Sequence, residues 1–499
     1  MKRKLFIILA AIFILIQACA GLDRHKAAEK LPRDQKALAF FVELDRVTQK
    51  YGVTDASRFP ISGFPYLRAD RFLEGMKDKL IGPEQEHLWI EWMQKLDLQS
   101  REKEIANLPK AALLELAERT GEPPDREAVY ERTRVYSNHL FAGDRRYTEY
   151  AAAVKKAVFV PDEYSTIRRI LGLYPVAVIP VAIATNKANT RYKHWHRIPP
   201  EELETYGRLT TFVPPKATKS FNHVEIDRLF DSRNRDAFGL PLLTQEDIVK
   251  LARMFAPVIT QDVNAEDDRF GRVYWDKHQV TIDPKLVTVY YYISYVFVDG
   301  IPALQMNYAI WYSGRMGDNS PWIERGPLDG LTLRITFDSK GKPVMADVMN
   351  NCGCYYFFIP NRKYIREVIV KPNDFEPLIP TWLPDEFPMK RIHLRVNSGW
   401  HQVQHIHAGD IPDETIIYEL LPYDVLKSLP QEDGLKESVF TPDGIMKNSS
   451  RIEPYILFSM GIPNVGYMRQ RGHHAIKLVG REHFTNPYIY DKNFVFTRE

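Results

Sequence analysis

The sequence has no G-x-S-x-G, no H-E-x-x-H, no G-x-x-x-x-G-K-[ST] and no G-x-G-x-x-G. The signatures of common hydrolases, zincins, nucleotide binders and dinucleotide binders are therefore missing, and an enzyme here would be an uncommon one. Charge of one sign is lacking too. The 67 basic and 64 acidic side chains leave a formal +3 over 499 residues, which argues against a nucleic-acid binder or a polybasic membrane patch. No internal repeat or low-complexity tract occurs, and no apolar run reaches bilayer-spanning length without a break. Cysteine is sparse: Cys19, Cys352 and Cys354 are the only three.

What is present begins at the N-terminus. Lys2, Arg3 and Lys4 precede an uncharged apolar run, Leu5 to Ile16, that ends in Gln17, Ala18 and Cys19. That is the layout of a signal peptide. The run would rise about 18 Å as a helix, against a hydrocarbon core of ~30 Å, too short for a comfortable permanent span. Ile16-Gln17-Ala18-Cys19 resembles the lipobox of bacterial lipoproteins, which implies cleavage after residue 18 and a lipid on Cys19. A plain secreted protein or an uncleaved anchor are the other readings. Ala20 after the cysteine implies the outer rather than the inner membrane, so the expected address is the bacterial cell envelope.

With 44% hydrophobic and 26% charged residues, the body is that of an ordinary globular protein. Its period changes along the chain. Ala37, Phe40, Phe41, Leu44 and Val47 recur at helical steps, with Gly52 as a stop. Glu86 to Leu98, Lys110 to Thr120 and Arg126 to Leu140 continue the theme, with "GEPPD" between the last two. The stretch "ILGLYPVAVIPVAIA", Ile170 to Ala184, is uncharged and broken by Pro175 and Pro180. It reads as a buried core segment or as an interfacial loop resting on the bilayer beside the lipid anchor. Thr244 caps a last helix whose stripe is Ile248, Leu251, Ala252 and Phe255, and Pro257 ends it.

Thereafter the period is two. Asp299-Gly300 joins two β-rich runs as a hairpin, and Leu331 to Phe337 with Val344 to Met349 extend it into a meander. Arg391 to Val396 and Trp400 to His407 read as further strands. The expected fold class is α+β, a helical N-terminal half followed by an antiparallel β-rich half. The division is residues 1–18 as signal peptide, 19–215 as a mostly helical region and 216–499 as the β-rich domain with peripheral helices.

Histidine supplies the first candidate chemistry. "WHQVQHIHAGD", from Trp400 to Asp410, carries His401, His405 and His407. On a strand, side chains two apart lie roughly 6.5 Å apart and those four apart about 13 Å, so His405 and His407 can share an ion while His401 cannot join them. A two-residue turn after Val396 would put them on the face of Ile392, Leu394 and Val396; a three-residue turn would reverse this. Zinc needs further ligands; the alternative is imidazoles hydrogen-bonded in a cleft. Cys352 and Cys354 flank Gly353 and suit a local disulfide, an inert thiol pair or a soft metal. "RGHHAIKLVGREHF" adds His473, His474 and His483, with Glu482 as a candidate general base and hydrogen bonding as the plainer role. "DVNAEDD", Asp262 to Asp268, starts like a calcium loop but lacks the glycine and the bidentate glutamate, so a solvated turn is expected.

"GLTLRITFDSKGKPVMADVMNNCGCYYFF" and "AIKLVGREHF" are similar to a set of uncharacterised bacterial envelope proteins, over about the later half of the chain. Cys352-Gly353-Cys354-Tyr355 is the most specific element. A histidine often follows that tyrosine in the relatives, where this chain has Tyr356. The resemblance implies an envelope setting and carries no catalytic role. Two functions follow as expectations. One is a lipid-anchored envelope protein that binds a small molecule or an envelope protein partner, meeting the membrane through its N-terminal lipid and no nucleic acid. The other is a metal-dependent hydrolase at the periplasmic face, with zinc as the possible cofactor and ligands drawn from the histidines and cysteines above.

Overall fold

The helical steps from Ala37 to Val47 fold as α1 (Gln35–Lys50), which buries all five of those side chains. The Asp34 carboxylate caps it, accepting the N–H groups of Lys36 and Ala37 at 2.8 and 3.2 Å. A computed structural model describes residues 31, 33–215, 222–372 and 374–497, and the signal-peptide reading with Cys19 lies outside them. The chain is α+β, with helices mainly early and antiparallel-rich sheets mainly late. Two compact units part between Pro161 and Asp162.

In the first unit, α1 is followed by the hairpin β1 (Phe59–Ile61) and β2 (Phe64–Ala69), then by α2 (Gly82–Asn107), α3 (Lys110–Thr120) and α4 (Arg126–Asp144). Its core holds a buried ion cluster. Arg68 meets Asp97 at 3.0 Å and both oxygens of Glu104 at 2.8 and 2.9 Å, while Arg101 lies 3.3 Å from Asp97. All four side chains are buried; such charges are tolerated there because each has an opposite partner.

The second unit begins with α5 (Thr166–Leu171) and α6 (Tyr174–Trp195). These belong with the sheets rather than with the earlier helices, since Tyr192 sits in the sheet core with Phe357, Leu394 and Ile406. In chain order there follow β3 (Arg208–Val213), α7 (Gln245–Phe255), β4 (Val258–Val263), β5 (Thr288–Val298), β6 (Ile301–Arg315), β7 (Gly326–Phe337), β8 (Pro343–Asn350), β9 (Tyr356–Pro360), β10 (Arg391–Val396), β11 (Val403–Gly409), β12 (Ile416–Ile417), β13 (Glu419–Pro422) and the short turn α8 (Glu453–Ile456). Six strands form one sheet in the order β9-β8-β7-β6-β5-β13, and five form another in the order β11-β10-β4-β3-β12. Apolar faces of both sheets share one core with α7, including Phe255, Ile259, Met306, Ile335 and Ile392. Thr244 caps α7 in a reciprocal box with Asp247. The β5–β6 hairpin turns through Asp299 and Gly300, both at positive φ.

Three expectations are corrected. The run from Ile170 to Ala184 is not core: it forms the end of α5 and the first half of α6, and none of its side chains is buried. The acidic loop is a solvated turn only in its middle, where Asn264, Ala265 and Glu266 are exposed. Asp262 is fully buried and accepts the N–H groups of Tyr206 and Gly207 at 2.8 Å each, and Asp268 is buried as well. Finally, β10 and β11 are joined by a six-residue loop, 397–402, with a bulge beside Arg395, so His405 pairs with Arg395 and His407 with His393. The two histidines therefore lie on the polar face of the hairpin, not on that of Ile392, Leu394 and Val396. The longer loop exists because Asp268 holds it: Ser398 Oγ and the Gly399 N–H both donate to that carboxylate, at 2.9 and 2.5 Å.

Candidate functional site

Residues four, three and four apart on a helix share one face. On α6 these are Ala177, Val181, Ala184 and Ala188, and together they form one wall of a cavity of about 520 Å³ in the second unit. Small side chains there leave room instead of filling it. Phe358, Leu378 and Leu478 supply further apolar wall, and Glu324, Cys354, Tyr355 and Glu453 supply polar groups. Glu376, Lys477 and Glu482 complete its charged lining. This size and this mix of apolar wall with few polar groups match a small-molecule site.

Glu453, the first residue of α8, is 2% exposed, and its Oε2 has no hydrogen-bond partner. The backbone of Gly466 passes so close that a Cβ there would lie 1.6 Å from Oε2, and φ at Gly466 is +84°. Only glycine meets both conditions without a shift. Burial pushes the Glu453 carboxyl up to about 7; nearby Glu324 and Asp329 add to the rise, and Arg451 and Arg315 oppose it. An acid so placed is a neutral hydrogen-bond donor at slightly acidic pH and a carboxylate at slightly basic pH.

Behind the cavity runs a buried charge network. Glu324 accepts from Arg315 Nη1 at 2.7 Å, from Trp400 Nε1 at 2.8 Å and from the Tyr355 hydroxyl at 2.5 Å. Arg315 grips Asp329 with two hydrogen bonds of 2.8 and 2.9 Å. Asp329 in turn meets His401 Nδ1 at 2.9 Å, and His401 Nε2 meets Asp268 at 3.2 Å. Arg451 donates to the Glu324 carbonyl at 2.7 Å and lies 3.7 Å from Asp329.

Burial alone would lower the His401 pKa, but its hydrogen bonds to two carboxylates outweigh this and the value is raised. The same contacts hold Asp268 down at about 2 against its own burial. Three cations, Arg315, Arg451 and His401, thus face three carboxylates, Asp268, Glu324 and Asp329. Glu453 is the surplus acid, which is why it gains little from ionising.

The residues singled out from sequence fall into separate groups. Cys352 and Cys354 are free thiols, with the Cys354 N–H donating to Cys352 Sγ at 3.3 Å. A hydrogen bond with Cys352, then burial, pushes the Cys354 thiol well above its ordinary range. Gly353 lets the turn lie on the carbonyl of Ala475, 2.3 Å from where a Cβ would stand. The two segments on which the resemblance rests therefore touch.

The histidines in and beside the second segment nevertheless face elsewhere. His473 Nδ1 lies 3.0 Å from Glu163, and His483 Nε2 lies 3.0 Å from Asp162. His474 is buried against Phe484, and burial drives its pKa down to about 3. Glu482 lines the cavity, but its Oε1 accepts the His483 N–H at 3.1 Å and a bond from Asn486 at 2.5 Å.

On β11, the His405 and His407 rings are 5.8 Å apart. His407 stacks on His393 at 4.7 Å, and His405 on His196 at 6.3 Å. Burial lowers all four pKa values, those of His196 and His393 to about 4. They are a stack of neutral rings. His401, with both nitrogens on carboxylates, is apart from them.

Among the described residues, no three His, Cys, Asp or Glu side chains are placed to hold a metal ion. Sequence reasoning missed Glu453, Glu324, Asp329 and Arg315. The available signal was faint: Arg315 closes one β-rich run and Asp329 stands early in the next, and other polar residues share both strands. No known protein family, curated protein or solved structure matches this chain.

Proposed function

We propose that this chain is a lipid-anchored envelope protein whose second unit binds a small amphiphile with an apolar body and a hydroxyl or amine group. The reading is carried by the cavity beneath α6, whose lining includes the buried Glu453 carboxyl; Oε2 of that carboxyl has no protein partner and packs against Gly466. A buried polar atom without a partner is costly, and a ligand hydroxyl or ammonium would remove that cost once the carboxyl turns from Gly466 toward the cavity. Four carboxyl groups, Glu324, Glu376, Glu453 and Glu482, line the cavity with one ammonium, Lys477. An anionic ligand such as a fatty acid would therefore be disfavoured. The envelope address rests on Lys2 to Cys19 and on the resemblance of the later half to envelope proteins.

N-phenylnaphthylamine, an apolar dye with a single N–H donor, tests the cavity. It should bind saturably with enhanced emission, and Ala184→Trp, which fills the space beneath α6, should abolish this without unfolding the chain. Unchanged dye binding in that variant would remove the reading. The anchor is tested separately by a fatty-acid label, which should be lost in Cys19→Ser.

A further inference from the structure

The other side of α6 is apolar as well, and it faces outward. Val176, Ile179 and Ile183 follow helical steps of three and four on the side away from the cavity wall, and they are 68%, 57% and 67% exposed. Ile167, Ile170 and Leu171 of α5 and Leu173 between the helices are each at least half exposed. The surface continues into the segment after α8. Ser165 N–H donates to the Gly461 carbonyl, Arg169 Nε donates to the Met460 carbonyl, and the Arg168 guanidinium lies 5.6 Å from the Phe458 ring. Tyr455 at 82% and Ile456 at 46% exposed belong to that segment. Contiguous apolar surface of this kind marks an interaction site.

Charge decides what covers it. Between Tyr164 and Pro200 the chain has Arg168, Arg169, Lys187, Arg191, Lys193 and Arg197 and not one aspartate or glutamate. The near-neutral total conceals this local excess. A second copy would bring the same cations to the same face, and the leader brings Lys2, Arg3 and Lys4, so both are opposed by like charge. Anionic lipid headgroups complement it. No helix among the described residues is long and apolar enough to cross a membrane, so the helix would lie in the interface plane rather than span.

We infer that the outer face of α5 and α6, with the segment from Tyr455 to Phe458, docks on an anionic phospholipid bilayer. Val176, Ile179 and Ile183 enter the acyl boundary and the flanking lysines and arginines meet the headgroups. This does not depend on what occupies the cavity.

The full chain carrying Ile179→Trp tests it, mixed with vesicles of brominated phosphatidylcholine and phosphatidylglycerol. The emission added by the new indole should be quenched, less so at high salt, and hardly at all on vesicles of phosphatidylcholine alone. Adding Val176→Asp and Ile183→Asp should abolish quenching while the circular dichroism of the chain is unchanged. Three results would overturn the inference. One is an indole left bright while the chain sediments with the vesicles. Another is equal quenching with and without phosphatidylglycerol. The last is an indole already blue-shifted before lipid is added, which would mean that protein covers this face.

Discussion

The Glu453 carboxyl rests against the backbone of Gly466 with no room for a β-carbon between them, Oε2 lying 1.6 Å from where one would stand. Gly466→Ala must therefore move the acid, and it also places a side chain at a φ of +84°. The expected cost is about 1–3 kcal/mol, read from the urea midpoint. Part of it should be recovered in the double variant with Glu453→Ala, as a double-mutant cycle would report.

The Glu453 carboxyl has a folded-state value of about 7 against an ordinary 4.5. The folded state then binds the extra proton between those values, so this group's contribution to stability falls as pH rises from about 4.5 to about 7 and stays low above that. Glu453→Gln should stabilise the chain at pH 8 by about 2–3 kcal/mol relative to the parent and change little at pH 4. Urea melts at the two pH values check this.

His196 and His393 act at the acid end. Burial depresses both to about 4 from an ordinary 6.5, so the unfolded chain binds more protons between those values. Stability contributed by keeping them neutral is complete above about pH 6.5 and is lost as pH falls toward 4, by up to about 3 kcal/mol for each. His393→Gln should flatten the acid limb of the stability profile. An unchanged slope would contradict the stacked neutral rings.

The helices and the long hairpin were legible in the sequence because their information is local. Ala37 to Val47 repeats at helical steps, Thr244 has Asp247 three residues on, and Asp299-Gly300 accepts positive φ. The site was not legible because its partners are far apart in sequence. His401 meets Asp329 and Asp268 across 72 and 133 residues, and no period records such a pairing. The face of His405 and His407 depended on loop length, which Asp268 sets from another segment. The exposed α6 was hard to read for a different reason: it is apolar on the cavity side and on the outer side, so its composition resembles that of core.

His401 is enclosed by Asp268 and Asp329, which favour its charged form, and its ring stacks on Tyr312 with centroids 3.9 Å apart and planes within 5°. His401→Ala would leave two buried carboxylates short of a partner, at a cost of about 3–5 kcal/mol. The loss should be larger than that of Tyr312→Leu, which keeps the charge balance. Chemical denaturation of the two variants decides it.

The thiols should be quiet. Cys354 is pushed well above its ordinary range and so supplies little thiolate at neutral pH, and Cys352 is buried away from reagent. Alkylation by iodoacetamide should be slow in the folded chain and prompt in denaturant. Fast modification of the native protein at pH 7 would contradict this placement.

In the proposed function Glu453 is the polar anchor for an apolar, non-anionic ligand beneath α6. The most direct test of that role is calorimetric titration with dodecylamine and laurate across neutral pH. Dodecylamine should bind and laurate should not. Amine affinity should rise as pH passes through about 7 and Glu453 ionises, and Glu453→Gln should remove that rise. Preference for laurate, or a pH profile indifferent to Glu453→Gln, would contradict the claim.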